Sequence, residues 1–402
     1  MLSGPASGVI GAAFIGRLIG DQKLLTLDMG GTSVDMALID GAVPYSNENT
    51  VGDFPVLLPA VDVSAIGAGG GSIAWLDAEG VLKVGPRSAG ARPGPAYAAL
   101  GIMTSILGGE MKLHVDKARA ALATIGDKLG LSVEQTADAI LQVATANIYA
   151  ETVPQLARRG VDAQEFSLLC YGAAGPTHSF MLARELNLRR VVVPPMPGLL
   201  CALGCLVADL RADFVRSLWH DSRDMTDEQV NATYQQFLVE AESWLDTQQV
   251  EIEEKQIIRS ADICYHGQSF ELNVILPDGP LTVAQVENLF HDRYEQVYGY
   301  ADRSSPLRIL EARLQIVGKT KKPDFSYLRP FADAEQAPIS ERRLYENGKD
   351  GMATVYRRAL LEPGFSFEGP AIIEQYDTTI YLPAGFRATI DQWYNLIGER
   401  VQ

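Results

Sequence analysis

The residues best equipped for chemistry lie between Leu24 and Asp40, in the stretch LLTLDMGGTSVDMALID. It sets one acid, two glycines and two hydroxyls at a single bend between apolar segments. Leu24 to Leu27 read as a strand ending on Asp28, and Met36 to Ile39 as its returning partner. Glycine lets a backbone approach a ligand closely and tolerates positive φ, so Gly30, Gly31 and Thr32 can turn their N–H groups toward phosphate oxygens. Asp28 suits Mg2+, held through water, because hard oxygen ligands match that ion. The same residues also read as a plain β-hairpin with a Gly-Gly turn. The rest of the chain shifts the balance toward phosphate binding.

Two further glycine clusters accompany the first. Residues 66–75, IGAGGGSIAW, place Gly67, Gly69, Gly70 and Gly71 before Ser72, with apolar, strand-like flanks. A glycine run between strands makes room for a ligand or another backbone; a flexible turn is the alternative. Residues 171–179, YGAAGPTHS, lead from a strand through Gly172, Ala173, Ala174 and Gly175 into a helix near Thr177. Small residues at that junction leave helix N–H groups open to a nucleotide. His178 falls in the first turn of this helix, either as a structural hydrogen-bonder or as a site residue. Between the clusters, VGPRSAGARPGPA (84–96) reads as an ordered irregular loop whose Arg87 or Arg92 could face an anion.

The elements that must hold these loops alternate between helix and strand. Helices are expected over about 116–130, ended by Gly130, and 132–159, capped by Ser132. A strand at Phe166–Cys170, the helix after it and a strand at Val191–Val193 make a parallel pair with a crossover. From about residue 214 the texture changes to a charged helix (226–247), alternating strands around Gly267 (257–276), a helix (283–299) and a strand (308–317). Residues 319–350 read as a linker, and 353–401 as β-rich, with turns at Pro363-Gly364 and Gly369-Pro370. Three domains are therefore expected: 1–213, an α/β domain; 214–320, α+β; and 321–402, a β-rich subdomain.

With 402 residues the chain can bury more than one core. Its net charge of −16 opposes nucleic-acid backbones and anionic membranes, so neither is expected as a partner. The N-terminus lacks the basic flank of a signal peptide, and no apolar run nears the roughly 20 residues that span a bilayer, so a cytoplasmic location is the default. The four cysteines, Cys170, Cys201, Cys205 and Cys264, have no nearby histidine and read as buried free thiols, not zinc ligands or nucleophiles.

Together these segments resemble the hydantoinase A/5-oxoprolinase family. The resemblance rests on SGPASGVIGA (3–12), LDMGGTSVDMALIDG (27–41), VDVSAIGAGGGSIAW (61–75), VGPRSAGARPGPA (84–96), YGAAGPTHS (171–179), VPPMPGLLCALGCLVADLR (193–211), YHGQSFEL (265–272) and GPAIIEQYDTTIYLPAG (369–385), in family order along nearly the whole chain. It implies an α/β, actin-like ATPase (ribonuclease H-like) fold followed by a β-rich α+β C-terminal region. It further implies ATP and Mg2+ as cofactors, and a small cyclic amide as substrate. The residues Asp28 to Ser33 resemble the second phosphate loop of that fold, and Gly172 to Gly175 its adenosine motif. Tyr265, Gly267, Gln268 and Glu271 match a family motif, which makes Gln268 a candidate substrate contact beside His178 and Arg87. Asp62 is a candidate for a metal-water or proton-transfer role.

The resemblance also implies a B-type partner subunit, hence a hetero-oligomer. The chain departs from the family pattern twice. It holds no second copy of the DxGGT hairpin that serves as the family's first phosphate loop, and only nine residues separate Tyr97 from Leu107 where the family has an Asp-bearing segment. A missing N-terminal segment or chain is therefore expected to complete it. The leading expectation is an ATP-dependent hydrolase of hydantoin or lactam rings. The alternatives are the ATP-handling subunit of a ketone carboxylase and a non-catalytic, nucleotide-binding actin-like module.

Overall fold

The DxGGT segment folds as a tight antiparallel hairpin, Lys23–Met29 returning as Val34–Asp40. Its apolar positions are buried on both faces, with Leu24, Leu27 and Val34 fully enclosed, as befits a central strand pair. The computed structural model describes residues 3–46, 49–51, 54–56, 60–90, 94–324 and 340–401.

This hairpin lies within an eight-stranded mixed sheet. In spatial order its strands are Ser366–Glu368, Phe386–Ile390, Leu396–Arg400, Arg190–Val193, Ser167–Tyr171, Lys23–Met29, Val34–Asp40 and Ser64–Ile66. Lys23–Met29 pairs in parallel with Ser167–Tyr171, and that strand in parallel with Arg190–Val193. The expected parallel pair and its intervening helix, Gly175–Glu185, are therefore present, with the helix starting two residues earlier than the sequence reading placed it. Parallel central strands put the ends of Lys23–Met29 and Ser167–Tyr171 side by side: Asp28 stands opposite Tyr171, the residue before the Gly172 loop.

The expected helices occur as Val115–Leu129, closed by the left-handed Gly130, and Val133–Arg158, opened by a Ser132/Gln135 capping box. The N-terminal helix, Gly4–Ile19, packs on the short helix Leu200–Val207 through glycines. A Cβ on Gly11 would lie 2.7 Å from the Leu200 carbonyl oxygen, so only glycine permits that approach.

Chain contacts divide the molecule into two units, residues 1–207 with 323–402, and residues 208–322. The expected separate subdomain at 321–402 is thus corrected. Three of its strands extend the eight-stranded sheet, and Ala371–Glu374 and Thr379–Leu382 join Ser340–Glu346 and Lys349–Arg357 in a second sheet. The supposed linker likewise narrows, because its residues 340–350 form most of a hairpin turning at Asn347 and Gly348; residues 325–339 lie outside the described residues. Burial supplies the reason. Ala388 and Leu396 are fully enclosed, and Phe180 of the helix Gly175–Glu185 fills the space above Gly398. Apart from the sheet these strands would expose that apolar face.

The unit 208–322 has its own core. A four-stranded antiparallel sheet, in the order Leu210–Asp221, Leu307–Thr320, Ile252–Tyr265, Leu272–Leu276, packs against helices Asp227–Asp246 and Val283–Tyr298.

Candidate functional site

Three glycine loops meet at the ends of the central strands. The Gly70 N–H donates to the Gly30 carbonyl at 2.9 Å and the Gly71 N–H to the Gly31 carbonyl at 2.7 Å, so the second loop is bonded to the first. The Ala174 N–H donates to the Met29 carbonyl at 2.9 Å, and a Cβ on Gly70 would lie 2.8 Å from the Ala174 Cβ. The third loop is therefore in contact with both others. A cavity of about 210 Å3 opens between them, lined by Gly30, Gly31, Gly70, Gly71, Ala173 and Ala174, and by Gly90 and Gly94.

The loops divide their labour. In the second, the donors of three glycines are occupied: Gly69 N–H bonds the Ser72 hydroxyl at 3.0 Å, while those of Gly70 and Gly71 serve the first loop. A Cβ on Gly69 would stand 2.5 Å from Thr32 N and from the carbonyl carbons of Gly31 and Thr32. These glycines allow close stacking of one loop on another and do not present amides to a ligand. Ser88 adds a second support, donating to the Gly31 carbonyl at 3.2 Å. In the first loop, Gly30 N–H closes the turn on Ser33, but those of Gly31, Thr32 and Ser33 donate to no acceptor among the described residues. Three open amides on a bend held from behind have the arrangement of a backbone nest. In the third loop Gly172, at φ +78°, donates to the Pro197 carbonyl, whereas the N–H of Ala173 finds no acceptor among the described residues. The buried Gly175 begins the helix, whose N-terminus favours negative charge.

Beside this nest stand two acids. Asp28 and Asp35 face each other directly across the hairpin, so their side chains share one side of it. Burial raises Asp28 above the usual carboxylate range; the Cys201 thiol, donating at 3.4 Å, pulls it back, and the charge of Asp35 adds to the rise. Burial likewise raises Asp35, against a hydrogen bond from Ser33. Cys201 itself is pushed up to about 12 by burial and the Asp28 charge, so it is a thiol donor and no nucleophile. No group of three or more metal-ligating side chains exists among the described residues. Two carboxylates are too few for a dedicated cage and fit a hard cation that would keep most of its waters.

The far wall of the cleft comes from the turn between Ala371–Glu374 and Thr379–Leu382. Thr378 donates to the Ala173 carbonyl at 2.8 Å, and Thr177 to the Thr379 carbonyl at 2.5 Å. Asp377 accepts from Gly198 N–H at 2.7 Å through Oδ2, while its buried Oδ1 has no partner, and burial raises its pKa.

The remaining candidates lie elsewhere. His178 is fully buried, with Nδ1 2.9 Å from the Tyr97 hydroxyl and Nε2 3.0 Å from that of Thr145, and burial lowers its pKa to about 4. Both ring nitrogens are thus engaged inside the protein, and its role is structural. Asp62 is ion-paired with Arg159 and does not line the cleft. Arg87 is exposed on the strand Leu82–Ser88, also away from the cavity lining, and Arg92 lies outside the described residues. Gln268 belongs to the other unit, where its Nε2 donates to the Tyr294 hydroxyl at 3.1 Å.

The sequence reading missed Asp35, Cys201 and Asp377. Asp35 carried a signal: folding the hairpin about Gly31-Thr32 places it opposite Asp28. Asp377 carried a weaker one, an acid and two threonines between apolar strands. Cys201 carried none, since only the packing of helix Leu200–Val207 brings it to Asp28.

Fold and cleft define an α/β protein whose cleft sets open loop amides beside paired carboxylates. The chain belongs to the hydantoinase/oxoprolinase family: the model of that name matches residues 1–214, and the model of the family's C-terminal domain matches residues 219–397. It is 32% identical to an uncharacterised protein of Methanocaldococcus jannaschii, over 99% of this chain and 62% of the relative. It is 30% identical to the caprolactamase subunit alpha of Pseudomonas jessenii, over 97% of this chain and 60% of the relative. The nucleotide-free structure of acetone carboxylase superposes with a TM-score of 0.83 at 26% identity, covering 99% of this chain and 61% of that one. The chain thus spans about three fifths of the length of these relatives. No helix among the described residues is long and apolar enough to cross a membrane.

Proposed function

We propose that this chain supplies the phosphate-handling part of an ATP-dependent enzyme that opens cyclic amides. The single observation that carries this is the set of undonated Gly31, Thr32 and Ser33 amides beside Asp28 and Asp35, at the edge of a glycine-lined cleft. Family membership and the caprolactamase relative support the substrate class. The amides would take phosphate oxygens, the Ala173 and Gly175 end the nucleoside side, and Gly69 to Gly71 would fix the first loop in place. Mg2+, when bound, would neutralise phosphate charge, with Asp28 and Asp35 holding it through water.

The chemistry asked of such a site is positioning. The ring amide oxygen attacks the γ-phosphorus and ADP leaves; water adds to the phosphorylated amide carbon, the ring C–N bond breaks as the nitrogen takes a proton, and a second water frees inorganic phosphate and the carboxylate. A B-type partner subunit, an assembly of unlike chains and a cytoplasmic location belong to the same proposal.

A second reading has a specific observation behind it, the match to acetone carboxylase: phosphoryl transfer in the same cleft would then serve ketone carboxylation. ATP hydrolysis measured with the partner subunit, and with and without an added N-terminal segment, separates them. Stimulation by hydantoin, 5-oxoproline or caprolactam supports ring opening; stimulation by a ketone with bicarbonate supports carboxylation. Nucleotide binding without turnover under either condition rejects both.

A further inference from the structure

A second cavity, of about 330 Å3, lies in the same unit but apart from the glycine cleft. It is walled by the helix Val133–Arg158, the C-terminal end of the helix Gly175–Glu185, the hairpin turn at Glu346-Asn347 and the strand Thr379–Leu382. Arg184, on its wall, sits nine residues along the helix from Gly175, roughly 14 Å at 1.5 Å per residue, so the two cavities are distinct sites.

The lining is unusual in its charges. Arg184 is half-buried and makes no ion pair and no side-chain hydrogen bond among the described residues. Asp138 and Glu346 are half-buried on the same wall. Burial raises the Asp138 carboxyl, which accepts from Gln142 Nε2 at 3.0 Å, and the Arg184 charge pulls it back. Tyr381 is only 3% exposed, lines the cavity, and sets its hydroxyl toward the Glu346 carboxylate. Between these polar groups Leu100, Ile102, Leu141 and Met181 present an apolar floor.

From this arrangement we propose that the cavity is a binding site for a small amino acid, a molecule carrying a carboxylate and an ammonium on a short aliphatic chain. A carboxylate alone would meet three acids, Asp138, Glu185 and Glu346, for one guanidinium, and an ammonium alone would face the unpaired Arg184. A zwitterion answers both: carboxylate on Arg184, ammonium between Asp138 and Glu346, methylenes on the apolar floor, and the Tyr381 hydroxyl bonded to the ligand. The site does not depend on the ring-opening reading, since it shares no lining residue with the cleft.

Isothermal titration of the whole chain with glutamate and 6-aminohexanoate tests this, with hexanoate, hexylamine and the uncharged lactam as comparators. The expected result is saturable binding of one of the amino acids, at least about tenfold tighter than any comparator. Arg184→Gln and Asp138→Asn, each checked by circular dichroism, should weaken it by tenfold or more, while Tyr381→Phe weakens it less. Binding of hexanoate, hexylamine or the lactam as tightly as the amino acids overturns the proposal, as does amino-acid binding untouched by both charge variants. Absence of binding by either amino acid at millimolar concentration overturns it as well.

Discussion

The stacking of the second glycine loop on the first can be broken by one methyl group. In Gly69→Ala the new Cβ would begin 2.5 Å from Thr32 N and from the carbonyl carbons of Gly31 and Thr32, all backbone atoms that cannot rotate away. Restoring an ordinary contact needs the loops to part by about 1 Å. That displacement breaks the 2.9 Å bond from Gly70 to Gly30 and the 2.7 Å bond from Gly71 to Gly31. Two lost hydrogen bonds at about 0.5–1.5 kcal/mol each, plus about 1–3 kcal/mol of overpacking, destabilise the unit by about 2–6 kcal/mol. At about 2–4 °C per kcal/mol, the melting temperature falls by roughly 5–20 °C. The Gly31 to Ser33 amides move with the loop, so phosphoryl transfer drops by about a hundredfold. Gly30→Ala is the matched control. Gly30 has no heavy atom within 4 Å of its missing Cβ and no left-handed φ, yet it lines the cleft. It should melt within about 2 °C of the parent while binding nucleotide more weakly. Differential scanning calorimetry and titration with a fluorescent ATP analogue read both effects. Equal melting temperatures for the two variants, or a Gly30→Ala that binds nucleotide unchanged while Gly69→Ala melts normally, would refute the assignment of support to one loop and contact to the other.

Further outcomes follow from the charges and bonds of the cleft. Because burial raises Asp28, its charged form weakens the fold at neutral pH, and that penalty disappears as pH falls through the raised value. Asp28→Asn should therefore raise the melting temperature at pH 7 while lowering Mg2+-dependent ATP turnover by at least about a hundredfold. Wild-type turnover should fall with acid at pH values above the usual carboxylate range. His178, lowered to about 4 by burial, should stay neutral in NMR titration until near pH 4. Its contribution to stability is complete above its unfolded value near 6.5 and is lost as pH drops toward 4, by about 3 kcal/mol, measurable by urea unfolding at the two pH values. Thr378→Val removes the 2.8 Å bond to the Ala173 carbonyl and should cost about 0.5–1.5 kcal/mol, with a matching loss of nucleotide affinity.

Local chemistry was legible without a structure. The hairpin at Asp28, the three glycine loops, the helix caps at Ser132 and Thr226 and the strand–helix–strand unit around 167–193 follow from residue types at fixed short spacings, because backbone conformation and capping act over a few residues. So did the family, whose motifs recur in order. Partnership over distance was not legible. The strands of 366–400 announce themselves by alternation, but that pattern does not say which sheet edge will bury them, and here it is Arg190–Val193. The Gly69 to Gly71 run looked like a ligand loop and is a spacer, since only the folded molecule shows its amides already spent on Gly30, Gly31 and Ser72. His178 and Asp62 show the same limit. A titratable side chain becomes a reagent or a strut according to what lies against it, and Tyr97, Thr145 and Arg159 reach them from 81, 33 and 97 residues away.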